Sequence, residues 1–222
     1  MLTFPPLVYH SRFLKADRRS LVRGAGSEAY QTAFEQSARL DDLFLRPGAS
    51  VEVDAAGLGG QLLVLPIVGG ALLTAAGAAE TALVPGGVYA VPVGPGQAAR
   101  LTNPFEHETV NLLLIRAPVP AAAGPALQEA ELPLTARNVL VAPTPAAWPL
   151  RVGLYDSRVK GRIPVSRPAG FALCYVLNGS FEIEDRLVEH RDALLLWNTA
   201  AVEFEALSET ALLLYLEFGA GH

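Results

Sequence analysis

Gly86-Gly87-Val88-Tyr89-Ala90-Val91-Pro92-Val93-Gly94 is the stretch on which the fold turns. Glycines bracket a short apolar segment, Val88 to Val93, which reads as a strand between two turns. Strand signals extend from it in both directions. Arg46-Pro47-Gly48 opens a strand over Ala49 to Asp54, and Leu62 to Val68 reads as a buried apolar strand. Gly69-Gly70 turns the chain before Ala71 to Ala75, and Glu80 to Leu83 leads back into Pro85-Gly86. Ala98 to Thr102 and Val110 to Ile115 complete a set of short strands with the spacing of a sandwich or barrel.

The pattern stops at residues 117–135, where Ala-Pro-Val-Pro-Ala-Ala-Ala-Gly-Pro reads as a stiff connector rather than a structural element. It then resumes. Val139 to Ala142, Arg151 to Tyr155 and Arg162 to Val165 precede Phe171 to Leu177, which Asn178-Gly179 closes. Leu194 to Trp197, Val202 to Ala206 and Ala211 to Phe218 finish a second module, with strict alternation in Val202-Glu203-Phe204-Glu205-Ala206. The two modules align as weak repeats. Leu62 to Gly70 corresponds to Ala172 to Ser180, and Pro85 to Val91 corresponds to His190 to Leu196. The expected division is an N-terminal unit over residues 1–120 and a C-terminal unit over residues 121–222. Residues 1–40 are the least regular, with Ala29 to Phe34 a short strand or Gln31 to Leu40 helical.

The spacing glycine, five residues, proline, one residue, glycine (Gly86, Pro92, Gly94) resembles the second motif of the cupin barrel, and Arg46-Pro47-Gly48 stands where the first begins. The chain further resembles the pirin-like bicupins, in particular a short bacterial branch. Thr32-Ala33-Phe34, Leu62 to Gly69, Asn103-Pro104-Phe105-Glu106-His107-Glu108, Val110-Asn111-Leu112-Leu113 and the pattern from Leu154-Tyr155 to Phe218 carry that resemblance. It implies an all-β fold of two tandem cupin (double-stranded β-helix, jelly-roll) domains. It also implies, in metal-bearing members, an iron-type site in the first cup, and for some a quercetin-dioxygenase or regulatory role. The positions matching the usual ligands hold Asp54, Ala56, Gln61 and Gln97, and no histidine occurs between His10 and His107.

Composition excludes several classes. Of 222 residues 51% are hydrophobic and 18% charged, enough to bury a core. A net charge of −5 with no basic cluster beyond Arg18-Arg19 or Arg158, Lys160 and Arg162 leaves no footprint for nucleic acid. Ala55 to Ala79 lacks charge over a span long enough for a bilayer, but Pro66 and six glycines cut it into strand lengths, so no membrane segment is expected. The N-terminus shows no signal peptide, and one cysteine, Cys174, suits a reducing compartment; the expected location is the cytoplasm. The oligomeric state is not legible.

A transition-metal site needs three or four converging histidines or carboxylates. His10, His107, His190 and His222 are scattered, and Gln61 and Gln97 are poor ligands, so no metal and no cofactor are expected. Glu106-His107-Glu108 reads as a solvated loop. Gly94-Pro95-Gly96-Gln97-Ala98-Ala99 reads as a hairpin turn rather than a dinucleotide loop. Ser157-Arg158-Val159-Lys160 lies between strands, where serine and lysine do not meet, and Cys174 reads as a buried hydrophobe. The expected function is non-catalytic, with a small organic ligand held in the first cup by Asp54, Gln61, Tyr89 and Gln97. One alternative is an oxygenase in which Asp54 recruits distant ligands such as His10; another is an interaction module working through strand edges.

Overall fold

Side chains alternate across a strand, so a segment apolar at every position must be covered on both faces. Leu62-Leu63-Val64-Leu65 and Ala172-Leu173-Cys174-Tyr175-Val176 are such segments, and they lie at the centres of the two largest sheets. The computed structural model describes residues 10–34, 38–54, 60–75, 79–94, 96–117, 127–132, 134–143, 150–167 and 170–219. Among these described residues twenty strands run in order. The first twelve are β1 (Ser11–Leu14), β2 (Ser20–Gly24), β3 (Ser27–Phe34), β4 (Ala38–Leu45), β5 (Ser50–Asp54), β6 (Gly60–Val68), β7 (Ala71–Ala75), β8 (Thr81–Leu83), β9 (Gly87–Val93), β10 (Ala98–Thr102), β11 (Val110–Ala117) and β12 (Gln128–Glu131). The remainder are β13 (Leu150–Tyr155), β14 (Lys160–Pro164), β15 (Phe171–Asn178), β16 (Ser180–Ile183), β17 (Arg186–Glu189), β18 (Ala193–Trp197), β19 (Ala201–Ala206) and β20 (Ala211–Phe218). A single 3-10 turn, Ala16–Arg18, interrupts them. No helix among the described residues is long and apolar enough to cross a membrane.

The strands form four antiparallel sheets. In the N-terminal half a seven-stranded sheet, β12-β9-β6-β11-β4-β3-β2, accompanies a four-stranded sheet, β5-β10-β7-β8. In the C-terminal half the sheets are β1-β18-β15-β20-β13 and β14-β19-β16-β17. Leu62 and Val64 pack inside the first barrel with Leu43, Tyr89 and Leu112, whereas Leu63 and Leu65 pack outward. On β15, Ala172, Cys174 and Val176 fill the second barrel, and Leu173, Tyr175 and Leu177 face the other way. The outward faces join in one core with Ile115, Leu150, Leu214 and Leu216. Three apolar layers result, one in each barrel and one between them.

The duplication expected from sequence appears in the hydrogen bonding. Leu63 pairs with Ala90, and its counterpart Leu173 pairs with Leu195. Both halves carry a bulge at the same place: β11 skips Ile67 of β6, and β20 skips Leu177 of β15. Each bulge precedes a glycine in the left-handed region, Gly69 (φ 66°) and Gly179 (φ 74°).

Four local expectations change. Of the two readings of residues 29–40 the strand over Ala29 to Phe34 holds, and Gln31 to Phe34 and Ala38 to Leu40 are not helical, because β3 and β4 pair antiparallel with Gln31 opposite Asp41. Val139 to Ala142 forms only an isolated bridge, Val141 to Val152. Within the 117–135 connector, β12 is a strand whose backbone covers the edge of β9, which would otherwise be open. The edge of β18 is likewise covered by β1, although β1 belongs by sequence to residues 1–120. Pairing therefore crosses the 120/121 division in both directions.

A β-carbon at Gly179 would run into Ser208 Oγ and lie 3.1 Å from Ala211 Cα, in a backbone conformation that disfavours side chains. Gly179→Ala is expected to lower stability by about 1–3 kcal/mol in urea denaturation. Gly219→Ala, where nothing lies within 4 Å, should change it by no more than about 0.5 kcal/mol.

Candidate functional site

Strand register decides which of the expected ligand-binding residues meet. Asp54 ends β5 opposite Ala98, and Gln97 immediately precedes Ala98, so both lie at one rim of the N-terminal barrel. Gln61 pairs through its backbone with Pro92 and Ala117 at the same rim; its side chain, like Ala56, lies outside the described residues. Gln97 is exposed, and its Oε1 accepts the Gly94 N–H at 3.2 Å, closing its own turn. Tyr89 is turned to the opposite rim. Its ring is fully buried, while its hydroxyl accepts the Val84 N–H at 3.0 Å and donates to Glu129 Oε1 at 3.3 Å. Burial, with the Glu129 carboxylate adding to it, raises the Tyr89 pKa above its usual value. Tyr89 thus braces β12 against β9, and the structure does not bring it to Asp54 and Gln97.

At the Asp54 rim the cup face carries a charged cluster the sequence reading missed. On β11, Leu112, Leu114 and Arg116 share the inner face; on β4, Arg39, Asp41 and Leu43 share it, with Arg116 directly opposite Arg39. Asp41 is 2% exposed and Arg116 4% exposed. Arg39 Nε lies 2.9 Å from Asp41 Oδ1, and Arg116 Nη1 lies 2.8 Å from Asp41 Oδ2. Neither Nε nor Nη1 of Arg116 has a hydrogen-bonding partner of acceptable geometry among the described residues. Such donors, buried without acceptors, cost about 1–3 kcal/mol each, so they mark a place where an acceptor would be welcome. Desolvation pushes the Asp41 pKa up to about 6, with Arg39 opposing the rise and the Asp54 charge adding to it.

The C-terminal half holds the same pair with its charges exchanged. By register Arg116 corresponds to Glu217 and Asp41 to Arg151: Leu62 faces Arg116 where Ala172 faces Glu217, and Leu114 faces Asp41 where Tyr215 faces Arg151. Glu217, 1% exposed, accepts from Arg151 Nη2 (2.9 Å), Ser166 N (2.8 Å), Ser166 Oγ (3.3 Å) and Tyr215 Oη (3.0 Å). The second cup therefore closes its charge with its own donors, and the first leaves Arg116 Nε without a partner among the described residues, with Nη1 paired to Asp41 alone.

A third buried cluster ties the halves together. Asp42 forms an ion pair with Arg191 and accepts from Asn111 Nδ2 at 2.7 Å, while Arg191 Nη2 donates to Asn111 Oδ1 at 2.9 Å. Arg19 donates to the Arg191 carbonyl and lies over the Tyr175 ring. Arg191 has φ 66°, at the place where the first repeat has Gly86 with φ 88°.

Donor chemistry does not fit a transition metal. No three His, Cys, Asp or Glu side chains converge among the described residues. Of the four ligand-equivalent positions only Asp54 offers an anion, and the Gln97 carbonyl oxygen is already engaged. His107 stands 90% exposed in a bend, 3.8 Å from Glu106. Cys174 is fully buried, which raises its thiol pKa far above the ordinary value and leaves it inert. The clue to Arg116 and Glu217 was a single charge inside a largely apolar strand; Asp41 lies among Arg39 and Asp42 and carried no such signal.

No protein-family model and no curated protein sequence matches the chain. Solved structures do resemble it. YhhW from Escherichia coli superposes with a TM-score of 0.77 at 14% identity, over 96% of this chain and 99% of that one. A nickel(II) complex of the same bacterial pirin gives 0.75 at 14% identity, over 95% and 100%. A quercetin 2,3-dioxygenase from Acinetobacter baumannii gives 0.69 at 14% identity, over 96% and 87%. The chain thus has the two-barrel cupin fold of these proteins.

Because the Asp41 pKa rises from 3.8 to about 6 on folding, the folded protein holds that proton more tightly than the unfolded chain. The resulting stabilisation is complete below the unfolded value and is lost as pH rises through about 6. Asp41→Asn mimics the neutral form throughout. Its stability relative to wild type should therefore rise between about pH 4 and pH 7, by up to about 3 kcal/mol in paired urea titrations.

Proposed function

We propose that this chain is a pirin-like bicupin that binds a small organic carboxylate at the rim of its N-terminal cup and holds it without metal chemistry. The observation that carries this reading is the contrast between the two cups. Glu217 is satisfied by four donors, while Arg116, at the equivalent place, is buried with its Nε lacking an acceptor among the described residues and its Nη1 paired to Asp41 alone. A guanidinium is the side chain best shaped to accept a planar carboxylate through two parallel bonds. Arg39, one-third exposed beside it, supplies a second cation toward the rim, and Asp54 and Gln97 bound the same rim. Asp41 is the internal competitor for both arginines. Its protonation near pH 6 releases them, so affinity for an ionised ligand increases as pH falls through that value. A single buried cysteine and a net negative charge fit a cytoplasmic protein that does not bind nucleic acid.

Calorimetry with benzoate tests the reading. Wild-type protein should bind it more tightly at about pH 5 than at about pH 7. Arg116→Met should lose at least about tenfold in affinity. Asp41→Asn should lose the pH dependence, and Arg100→Met, whose exposed side chain pairs with exposed Glu52, should behave as wild type. The rival oxygenase reading is met by elemental analysis. The purified protein should hold well under one equivalent of transition metal, and one tightly held iron after chelator washing would overturn the metal-free assignment.

A further inference from the structure

The C-terminal half has a concavity that the first cup's chemistry does not explain. It lies where β18 turns into β19, at the rim of the second barrel, and its volume is about 380 Å³. That is within the range of sites that hold small organic molecules, about 300–1,000 Å³. Trp197, His10 and Leu196 are among its lining residues, and the Trp197 and His10 ring centroids lie 6.1 Å apart. The Trp197 backbone N–H donates to the His10 carbonyl at 3.0 Å, which ties the two backbones together. Trp197 also packs on Phe171, so the indole is supported from behind.

Glu184 and Glu203 line the same concavity. Glu184 is held in place because its Oε1 accepts the Glu203 N–H at 2.7 Å. The backbone at Glu184 is left-handed, with φ 47°, a conformation that costs a non-glycine residue about 1–3 kcal/mol and is kept where the surroundings impose it. Arg162 is the cation of the lining, and its Nε lies 3.5 Å from Glu203 Oε1. Glu203 is thus partly neutralised, while the Glu184 side chain has no cation within salt-bridge distance among the described residues. A second concavity of about 260 Å³ shares Glu184 and Glu203 and adds Glu182, Asp185 and Glu205, with Lys160 as its cation. Arg158 and Lys160 pair with Glu205, and Arg186 donates to the Glu184 carbonyl, so the carboxylates of this face outside any salt bridge among the described residues are Glu182, Glu184 and Asp185.

We propose that this pocket is a second binding site, selective for small organic cations: a flat apolar body lying against Trp197, with an ammonium or amidinium nitrogen directed to Glu184. Indole is the best aromatic partner for a cation, and the carboxylate supplies a charge-assisted hydrogen bond. The site has the opposite ligand charge from the N-terminal rim and shares no residue with it.

Benzamidine is the probe, followed by calorimetry and by the shift of the Trp197 indole N–H in ¹H–¹⁵N spectra. Binding tighter than about 1 mM, a shifted Trp197 signal and no binding of benzyl alcohol or benzoate at this pocket are expected. Glu184→Gln keeps the acceptor for the Glu203 N–H while removing the charge, and should weaken benzamidine at least about tenfold. Glu52→Gln, on the first barrel, should bind as wild type does, and so should Arg116→Met, which separates this site from the carboxylate site. No binding at about 1 mM benzamidine, equal binding by Glu184→Gln, or an unmoved Trp197 signal would overturn the proposal.

Discussion

The burial of both faces of the central strands is the constraint from which the architecture follows. β6 and β15 present one row of side chains to their own barrel and the other row to the opposite half. Neither barrel could leave the Leu63–Leu65 or Leu173–Tyr175 row in water without exposing a large apolar face, so the large sheets stack against each other. At about 25 cal/mol per Å² of apolar surface, this shared layer dominates the attraction between the halves. Exchange of edge strands reinforces it, since β1 completes the C-terminal sheet and β12 the N-terminal one.

Directional contacts then set how the halves sit. Asp42, Asn111, Arg191 and Arg19 form bonds from one half to the other, and these depend on how the halves are aligned. Asp192 adds to this by accepting the Ala16 N–H at 2.8 Å and pairing with Lys15 at 2.9 Å, which fixes the segment after β1. Apolar packing alone is tolerant of sliding, whereas a buried charge cluster penalises misalignment through unmatched groups.

Duplication followed by divergence in charge explains why the two rims differ. The same register positions hold Arg116 with Asp41 in one half and Glu217 with Arg151 in the other. The C-terminal version is sealed by Ser166 and Tyr215, and that half instead presents an aromatic and acidic concavity one strand away. The N-terminal version keeps a guanidinium whose donors point into the cup face. One scaffold therefore offers rims of opposite electrostatic character, built by changes at a handful of strand positions rather than by any change in topology.

Much of the fold was legible because burial on two faces leaves a local signature. Unbroken apolar runs, paired glycine turns and the alignment of Leu62–Gly70 with Ala172–Ser180 all survive translation into strands, down to the matched bulges at Ile67 and Leu177. The candidate sites were less legible. Asp54 and Gln97 reach a common rim because both flank the same β5–β10 pairing, but Tyr89, six residues before Pro95, points to the other end of the barrel. Arg116 escaped notice as the partner of Arg39 and Asp41 because it lies about 75 residues away in the chain and meets them only through the β4–β11 pairing. Alternation along the sequence by itself determined which side chains share a face and how the repeats align. Only the tertiary structure decided which strand covers each sheet edge and which charges meet, because those depend on pairing between segments whose sequences carry no record of one another.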